Sequence, residues 1–279
     1  LEGGRGGTVT SSGHAAETLV LFPLMAVGME VIVSNKLYGG TINLMGKSFK
    51  KFGWNAVFVD NDNPEAFRAA VTEKTRAIFV ESLANPGGVI VDLEAIAKIA
   101  QEAEVPLIVD NTMATPWLCR PFEWGADLVV HSTTKFLSGQ GNAMGGIVID
   151  SGRFPWFGNA KYPSLSEPCP NYNGLTFAET FGDIAFTLYS HAVSLRDLGC
   201  TQSPMNAWIT LNGVETLPLR MERHVENAQK VAGFLQQHPS VEWVSYAGLS
   251  SSPYYQLAQK YLQGKAGSVF TFGIRGGYE

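Results

Sequence analysis

Short apolar runs alternate with segments of helical spacing along most of this chain. The runs occur at residues 30–34, 54–59, 76–80, 105–109 and 126–130, and a polar residue ends or follows each of them. Runs of this length, bounded by turn residues, indicate buried strands. Strand–helix alternation favours a parallel sheet, because right-handed crossovers return each strand in the same direction. We therefore predict an α/β fold with a mostly parallel, doubly wound sheet.

The second part of the chain has a different pattern. We predict a long loop over residues 151–174, a long helix over 176–198 and an amphipathic helix over 219–236. Strands are predicted at 241–246 and 268–274, where β-branched and aromatic residues are frequent. The two strands, together with the helix over 219–236, indicate a second, smaller α/β unit.

We place a domain boundary near Gly213. Residues 1–212 then form a large ligand-binding domain, and residues 213–279 form a smaller C-terminal α/β domain. The N-terminus lacks a starting methionine, and the last predicted strand lies almost at the end of the chain. We therefore expect N- and C-terminal segments to be missing and the smaller domain to be incomplete.

Composition and charge argue against several function classes. The 20 basic and 25 acidic residues give a net charge of -5 without a basic stripe, so nucleic acid is not a predicted partner. The longest uncharged apolar stretch, residues 18–29, is too short to cross a membrane. Cys119, Cys169 and Cys200 are widely spaced without a CxxC pair, so we predict neither a disulfide framework nor a metal site. This cysteine usage favours a reducing cytoplasm.

A lysine follows the last of the five apolar runs. The run at 126–130 continues into a Ser-Thr-Thr-Lys motif that ends at Lys135, and a glycine-rich stretch at 138–146 comes next. Because an open α/β sheet presents ligand-binding residues at the carboxyl ends of its strands, Lys135 can form a Schiff base with a carbonyl cofactor. Ser132 and Thr134 would supply hydroxyls to an anion beside it. The alternative is a solvated lysine on a polar loop, since short motifs recur by chance.

A carboxylate ends the apolar run at 105–109. Burying Asp110 at a strand end costs free energy unless a partner compensates for it. A protonated ring nitrogen is such a partner and keeps the carboxylate ionised. We therefore predict that Asp110 binds a ring nitrogen at the same sheet edge as Lys135.

Small residues precede an apolar helix near the N-terminus. The turn Ser11-Ser12-Gly13 leads into a helix that begins near His14. Backbone N–H groups of Gly13 and His14 would point out of the helix start, where the helix dipole favours a phosphate. An ordinary Ser N-cap explains the same pattern, and from this stretch alone it is the preferred interpretation.

Two further residues follow strand ends. Tyr38 precedes a Gly-Gly turn, where its ring can stack on a flat ligand, although simple packing explains it as well. Asn85 precedes Pro86, which restricts its geometry, and its amide can reach a ligand oxygen. A turn-forming Asn-Pro pair is an equally good explanation of Asn85.

Together these residues indicate one cofactor. A Schiff-base lysine, a carboxylate for a pyridinium nitrogen, a stacking ring, a helix start for a phosphate and two hydroxyls are the parts of a pyridoxal 5'-phosphate (PLP) site. A dinucleotide site would need GxGxxG after the first strand and an acidic residue downstream, and the sequence has no such arrangement. We therefore predict that PLP binds in the domain of residues 1–212.

The sequence resembles the Cys/Met-metabolism enzymes of PLP-dependent fold type I over nearly its whole length. The resemblance rests on seven short motifs, at residues 11–13, 38–41, 81–86, 109–112, 125–127, 131–135 and 219–224. It implies that Lys135 forms the Schiff base, Asp110 pairs with the pyridinium nitrogen and Tyr38 stacks on the ring. The implied cofactor-binding residues are Ser12, Gly13, His14, Tyr38, Asn85, Asp110, Ser132, Thr134 and Lys135.

The resemblance also implies an activity. It implies γ-replacement, in which sulfide or a thiol displaces acetate from O-acetylhomoserine to give homocysteine or methionine. A PLP-dependent C–S lyase, such as methionine γ-lyase or cystathionine lyase, is the alternative, although lyases that act on methionine often have Cys where Gly40 stands here. A non-catalytic PLP-binding scaffold is a further alternative, because the family's remaining phosphate and substrate ligands lie in terminal segments outside these residues. Members are expected to be cytoplasmic homotetramers with active sites shared between subunits.

Overall fold

The computed structural model describes residues 1–277, so residues 278 and 279 of the predicted smaller domain lie outside the described part. The strands of this part are β1 (Gly6–Thr10), β2 (Glu30–Ser34), β3 (Asn55–Val59), β4 (Thr75–Glu81), β5 (Leu83–Ala84), β6 (Val89–Ile90), β7 (Leu107–Asp110), β8 (Leu128–Ser132), β9 (Gly146–Asp150), β10 (Val241–Ser245) and β11 (Thr271–Ile274). The predicted strands at 30–34, 54–59, 76–80, 105–109 and 126–130 are therefore present, with ends shifted by at most two residues.

The α-helices of residues 1–277 are α1 (Gly13–Leu21), α2 (Gly39–Asn43), α3 (Pro64–Ala69), α4 (Leu93–Glu102), α5 (Thr115–Leu118), α6 (Pro163–Ser166), α7 (Phe177–Phe181), α8 (Ala185–Tyr189), α9 (Arg196–Leu198), α10 (Pro204–Glu215), α11 (Leu217–Gln237) and α12 (Tyr255–Tyr261). Turns of π-helix lie at Leu44–Ser48 and Ser190–Leu195. In residues 1–277, no helix combines the length and apolar character needed to cross the bilayer.

Two predictions for the middle of the chain need correction. The long helix predicted over 176–198 is interrupted, because Gly182 adopts a left-handed φ of 54° and a 3-10 turn separates α7 from α8. The stretch at 151–174, predicted as a loop, contains α6 and a 3-10 turn at Pro170–Tyr172. Its aromatic residues Trp156 and Tyr162 are buried, so this stretch forms part of the core.

The central sheet is mostly parallel, as the alternation predicts. Its strand order is β1-β9-β8-β7-β4-β2-β3. The pairs β2–β3, β2–β4, β4–β7 and β7–β8 are all parallel. The carboxyl ends of β4, β7 and β8 therefore meet at one edge, where Glu81 lies opposite Asp110.

Two antiparallel strands, which the sequence analysis did not predict, complete the sheet beyond β8. β9 pairs with β8, and β1 pairs with the outer side of β9. β1 begins with two glycines, and glycine weakens the pattern that indicates a strand. In the pairing register, Gly146 lies opposite both Ser132 and Thr10, so the segment that leads into α1 reaches the carboxyl end of β8.

The sheet separates two apolar cores, because successive side chains of a strand point to opposite faces. In β4, Ile78 and Val80 pack in the core that includes α4, α5 and α11. Ala77 and Phe79 pack in the other core, which includes α1, α6 and α8. Burial of each large apolar side chain contributes roughly 1.5–3 kcal/mol, so both faces hold the strand ends in place.

The C-terminal part continues from α11 into a separate two-stranded antiparallel sheet of β10 and β11. α10 runs without a break through Gly213. The domain boundary near Gly213 stays a prediction.

Candidate active site

A cavity of about 330 Å³ opens at the carboxyl edge of the central sheet. Its lining comes from the start of α1, the residues around the start of α2, the ends of β4, β7 and β8, and the turns that follow these strands. All nine predicted cofactor-binding residues line this cavity, namely Ser12, Gly13, His14, Tyr38, Asn85, Asp110, Ser132, Thr134 and Lys135. The residues predicted from the sequence therefore lie together, while their individual roles stay predictions.

The start of α1 combines a cap with free donors. The Ser12 hydroxyl accepts a hydrogen bond from the Ala15 N–H at 3.1 Å, so Ser12 is the N-cap. The N–H groups of Gly13 and His14 lie in the first helical turn, where the helix itself offers no acceptor. A Cβ at residue 13 would lie 2.7 Å from Ser132 Cβ, so glycine allows α1 to approach β8 closely. The two interpretations of this turn are compatible, since Ser12 caps the helix and the next two residues line the cavity.

The ring of Tyr38 lies beside the cavity and is accessible. Tyr38 is 49% exposed and directly precedes α2. Its ring centroid lies 6.1 Å from that of His14, with the planes inclined at 37°. A Cβ at residue 40 would lie 2.9 Å from atoms of the His14 ring, so Gly40 leaves room for both rings. An accessible ring in this position can stack on a planar ligand.

Asp110 ends β7 and is joined to β8 through Thr112. The Asp110 carboxylate accepts a hydrogen bond from the Thr112 N–H at 2.8 Å, and the Thr112 hydroxyl accepts one from the Ser132 N–H at 2.8 Å. Burial raises the pKa of Asp110, whereas the Thr112 hydrogen bonds and the nearby His131 and His14 oppose that rise. A cationic ligand group beside Asp110 would favour its ionised form.

Lys135 lies in the turn after β8 and is exposed. Its N–H donates to the Ser132 carbonyl at 3.3 Å, and its carbonyl accepts from the Gly139 N–H at 2.8 Å. The neighbouring Thr134 hydroxyl donates to the Gly145 carbonyl at 3.2 Å and accepts from the Gly145 N–H at 3.1 Å. These hydrogen bonds connect the turn that contains Lys135 to the glycine-rich stretch at 138–146. They fix the backbone on both sides of Lys135.

Glu17, one turn into α1, lines the cavity and was not predicted. It is 3% exposed, and its Oε1 accepts a hydrogen bond from the Thr41 hydroxyl at 2.7 Å. Its Oε2 is buried and has no partner among the described residues. Burial raises the pKa of Glu17 well above its usual range, and the nearby Asp110 adds to that rise. In the sequence, Glu17 is a single acidic residue in an apolar helix, and this pattern does not indicate a site residue.

Glu81, at the end of β4, was also not predicted. It is 4% exposed, and its carboxylate accepts from the Tyr38 N–H at 2.6 Å and from the Asn85 N–H at 3.1 Å. Burial raises the pKa of Glu81 to about 8, and Asp110 contributes to this rise, whereas the two backbone hydrogen bonds oppose it. The strand pattern could have identified Glu81 as a site residue, because Glu81 follows its apolar run in the same way that Asp110 follows the run at 105–109.

A buried polar network fixes the chain directly after Asp110. The Asn111 side chain accepts from the Ser82 hydroxyl at 2.7 Å and donates to Glu2 Oε1 at 2.7 Å and to the Cys119 carbonyl at 2.9 Å. The same Glu2 oxygen lies 2.6 Å from His131 Nε2. The N-terminal segment, β7 and β8 are thereby tied together behind the cavity.

The sequence profile of the Cys/Met metabolism PLP-dependent enzymes matches residues 1–279. This chain belongs to that family. The predicted family is thereby confirmed, and so is the cofactor on which the family depends, PLP. The match does not identify which residues bind PLP.

Curated relatives resemble the chain along its whole length. It is 50% identical over 288 residues to the O-acetyl-L-homoserine sulfhydrylase of Leptospira meyeri, which covers 100% of this chain and 65% of the relative. It is 47% identical over 281 residues to the O-acetyl-L-homoserine sulfhydrylase 1 of Thermus thermophilus, with 100% and 66% covered. The chain thus spans less than two thirds of the length of these relatives.

Solved structures share the fold. The putative O-acetylhomoserine (thiol)-lyase of Campylobacter jejuni superposes with a TM-score of 0.95 at 39% identity, over 98% of this chain and 68% of that chain. That structure contains N'-pyridoxyl-lysine-5'-monophosphate. The O-acetylhomoserine sulfhydrylase of Wolinella succinogenes matches with a TM-score of 0.86 at 34% identity, over 98% of this chain and 74% of that chain. The predicted PLP-dependent fold type I is therefore confirmed.

Proposed function

We propose that this chain binds PLP covalently through Lys135 and catalyses γ-replacement on O-acetylhomoserine, with sulfide or a thiol as the nucleophile. The main support is that Lys135 and Asp110 line one cavity of about 330 Å³ in a chain of a PLP-dependent family. The substrate class is supported by the similarity to two O-acetyl-L-homoserine sulfhydrylases at 50% and 47% identity.

The cavity residues fit the phosphate of PLP. Gly13 and His14 would bind it through their N–H groups at the start of α1, and Ser132 would bind it through its hydroxyl. Thr134 would bind it by turning its hydroxyl proton from the Gly145 carbonyl to the phosphate. The 2.7 Å separation between Ser132 Cβ and a Cβ placed at residue 13 supports a shared anion site, because it shows how closely these two segments approach.

The same cavity fits the ring and the substrate. Asp110 would hold a proton on the ring nitrogen, and Tyr38 would stack on the ring. Asn85 would lie beside the phenolic oxygen and the carboxylate of the amino-acid substrate. When bound, PLP supplies an electron sink that stabilises negative charge on carbon atoms of an amino acid.

Lys135 would move the protons of the reaction. Its Nζ, freed when the amine of the substrate takes its place, would take the proton from Cα of the substrate and then transfer protons at Cβ. The C–O bond at Cγ breaks, and acetate leaves with the bonding electron pair. A C–S bond forms at the same carbon while the nucleophile loses its proton, so homocysteine or a thioether results.

We also propose that the protein assembles into cytoplasmic homotetramers with shared active sites. Large apolar side chains on α10 support an interface, since Met205 is 61% exposed, Trp208 60% and Leu211 65%. Asn206 of the same helix donates to the carbonyl of Met144, which lines the cavity. Sedimentation velocity of the purified protein tests this proposal, and a monomer at micromolar concentration would contradict it.

Borohydride reduction of the full-length protein with PLP tests the function. We expect a reduced adduct on Lys135 by peptide mapping, and homocysteine formation from O-acetylhomoserine and sulfide. Lys135→Ala should abolish both, whereas Lys230→Ala on the exposed face of α11 should change neither. Formation of a 2-oxo acid without an added nucleophile would indicate a lyase instead, and PLP binding without either product would indicate a scaffold.

A further inference from the structure

One buried carboxylate binds the backbone of two residues that the proposed function assigns to the cofactor. Glu81 accepts the Tyr38 N–H on Oε1 at 2.6 Å and the Asn85 N–H on Oε2 at 3.1 Å. Tyr38 and Asn85 lie 47 positions apart in sequence, on the turn before α2 and the turn after β5. Among residues 1–277, no other side chain forms hydrogen bonds with both of these turns.

An ionised carboxylate makes both contacts better than an amide does. A carboxylate offers acceptors on both oxygens, whereas an amide offers one acceptor and one donor group. Hydrogen bonds to a charged acceptor are roughly twice as strong as neutral ones. Glu81 is 4% exposed, so solvent does not compete for either oxygen.

We propose that Glu81 is a positioning residue that fixes Tyr38 and Asn85 for binding of PLP and the substrate. This inference rests on the proposed function, because it assigns Glu81 a purpose only if those two residues contact the cofactor. Glu81 itself acts through its neighbours and is not a catalytic residue.

The surroundings of Glu81 agree with a dependence on the bound cofactor. Glu81 lies opposite Asp110 on the adjacent parallel strand. Burial raises the pKa of Glu81 to about 8, and the neighbouring Asp110 carboxylate adds to that rise because like charges disfavour each other's ionised form. A cationic ring nitrogen beside Asp110 would offset one negative charge, so an occupied site favours the ionised Glu81 that holds both turns.

Glu81→Gln tests the proposal with the full-length protein. The variant keeps the volume of the side chain but presents an amide donor to one of the two N–H groups. We expect the Kd of PLP, measured by quenching of tryptophan fluorescence, to rise at least about tenfold. The visible circular dichroism per bound PLP should fall as well, because the ring is less well oriented.

Asp150→Asn is the matched control. Asp150 is 1% exposed and accepts the Gly152 N–H at 2.8 Å, so it is also a buried carboxylate bonded to backbone. It ends β9 opposite Leu128, away from the cavity edge of the sheet. Its replacement should change the melting temperature but leave the Kd of PLP within about twofold of wild type.

A second measurement separates positioning from a general structural effect. In a variant that already lacks the side chains of Tyr38 and Asn85 (Tyr38→Ala with Asn85→Ala), Glu81→Gln should change the Kd of PLP less than about twofold. An equal loss of affinity in both backgrounds would overturn the proposal, and so would wild-type affinity and dichroism in Glu81→Gln. A wild-type protein that binds no PLP would instead overturn the proposed function itself and the inference with it.

Discussion

Gly13 at the start of α1 and Ser132 at the end of β8 lie so close together that a side chain does not fit between them. A Cβ at residue 13 would be 2.7 Å from Ser132 Cβ and 3.2 Å from its Cα. Such distances are well below ordinary contact, and one of the two obstructing atoms belongs to the backbone. The first turn of α1 therefore reaches the cavity only because residue 13 is glycine.

Gly13→Ala should weaken both folding and cofactor binding. The added methyl forces α1 away from β8, and overpacking of this kind costs about 1–3 kcal/mol. The N–H groups assigned to the phosphate would move with the helix, so the Kd of PLP should rise by at least about tenfold. Denaturant unfolding and a PLP titration measure the two effects.

The control for Gly13→Ala is Gly233→Ala in α11. A Cβ there would have no heavy atom within 4 Å. Alanine in a helix is favoured over glycine by about 0.8–1.0 kcal/mol, so this variant should be as stable as wild type or more stable. Equal stability and PLP affinity of the two variants would show that the Gly13 contact is unimportant.

Asp110→Asn should retain the fold and lose most of the turnover. An amide at the end of β7 can still accept the Thr112 N–H, but it cannot hold a proton on a ring nitrogen by charge. We expect kcat to fall at least about 100-fold while some PLP stays bound. Steady-state kinetics with O-acetylhomoserine and sulfide measure this change, with Asp183→Asn, an exposed carboxylate, as the control. Unchanged turnover in Asp110→Asn would contradict the role of this residue.

The site was predictable where chemistry and strand position coincide. Lys135 and Asp110 each follow an apolar run, and the carboxyl ends of parallel strands meet at one edge, so their proximity follows from the strand pattern. Glu81 follows the same rule, although it was not among the predicted site residues. Its contact with the nearby Asn85 N–H is local, but its contact with the Tyr38 N–H joins residues far apart in sequence, and no local pattern reveals it.

The fold was predictable where periodicity is strong. β1 and β9 were missed because glycines precede or begin them, and their pairing to β8 is a tertiary effect. The prediction of one continuous helix over 176–198 was wrong. The sequence alone does not distinguish a left-handed glycine such as Gly182 from a glycine that a helix tolerates.

Glu2→Ala should destabilise the protein although residue 2 lies near the start of the chain. The Glu2 carboxylate is buried, and it is the acceptor shared by Asn111 Nδ2 and, at 2.6 Å, His131 Nε2. Leaving a buried polar group without its partner costs about 1–3 kcal/mol. Denaturant unfolding measures the loss, and the exposed pair of Glu65 with Arg68 supplies the control. Glu65→Ala should cost at most about 1 kcal/mol, so equal losses in the two variants would contradict the buried network.

Asp150 gives the protein a pH-dependent stability that one substitution should remove. Burial raises the pKa of Asp150 to about 7, and the neighbouring carboxylates Asp127 and Asp183 add to the rise, whereas the Gly152 N–H opposes it. The unfolded chain has the ordinary pKa of about 3.9, so the folded state binds the proton more tightly. The stabilising contribution is therefore complete below about pH 4 and is lost as the pH rises through 7.

Between pH 4 and pH 7, the titration of Asp150 should lower the free energy of unfolding of the wild type by about 1.4 kcal/mol per pH unit. Asp150→Asn does not titrate, so its stability relative to wild type should increase by that amount per unit from pH 4 to pH 7. Denaturant unfolding at a series of pH values measures the difference. Glu17 and Glu81 contribute slopes of the same sign, but they are present in both proteins and cancel. Parallel stability curves for the two proteins would show that Asp150 is ionised throughout, and that the buried end of β9 tolerates its charge.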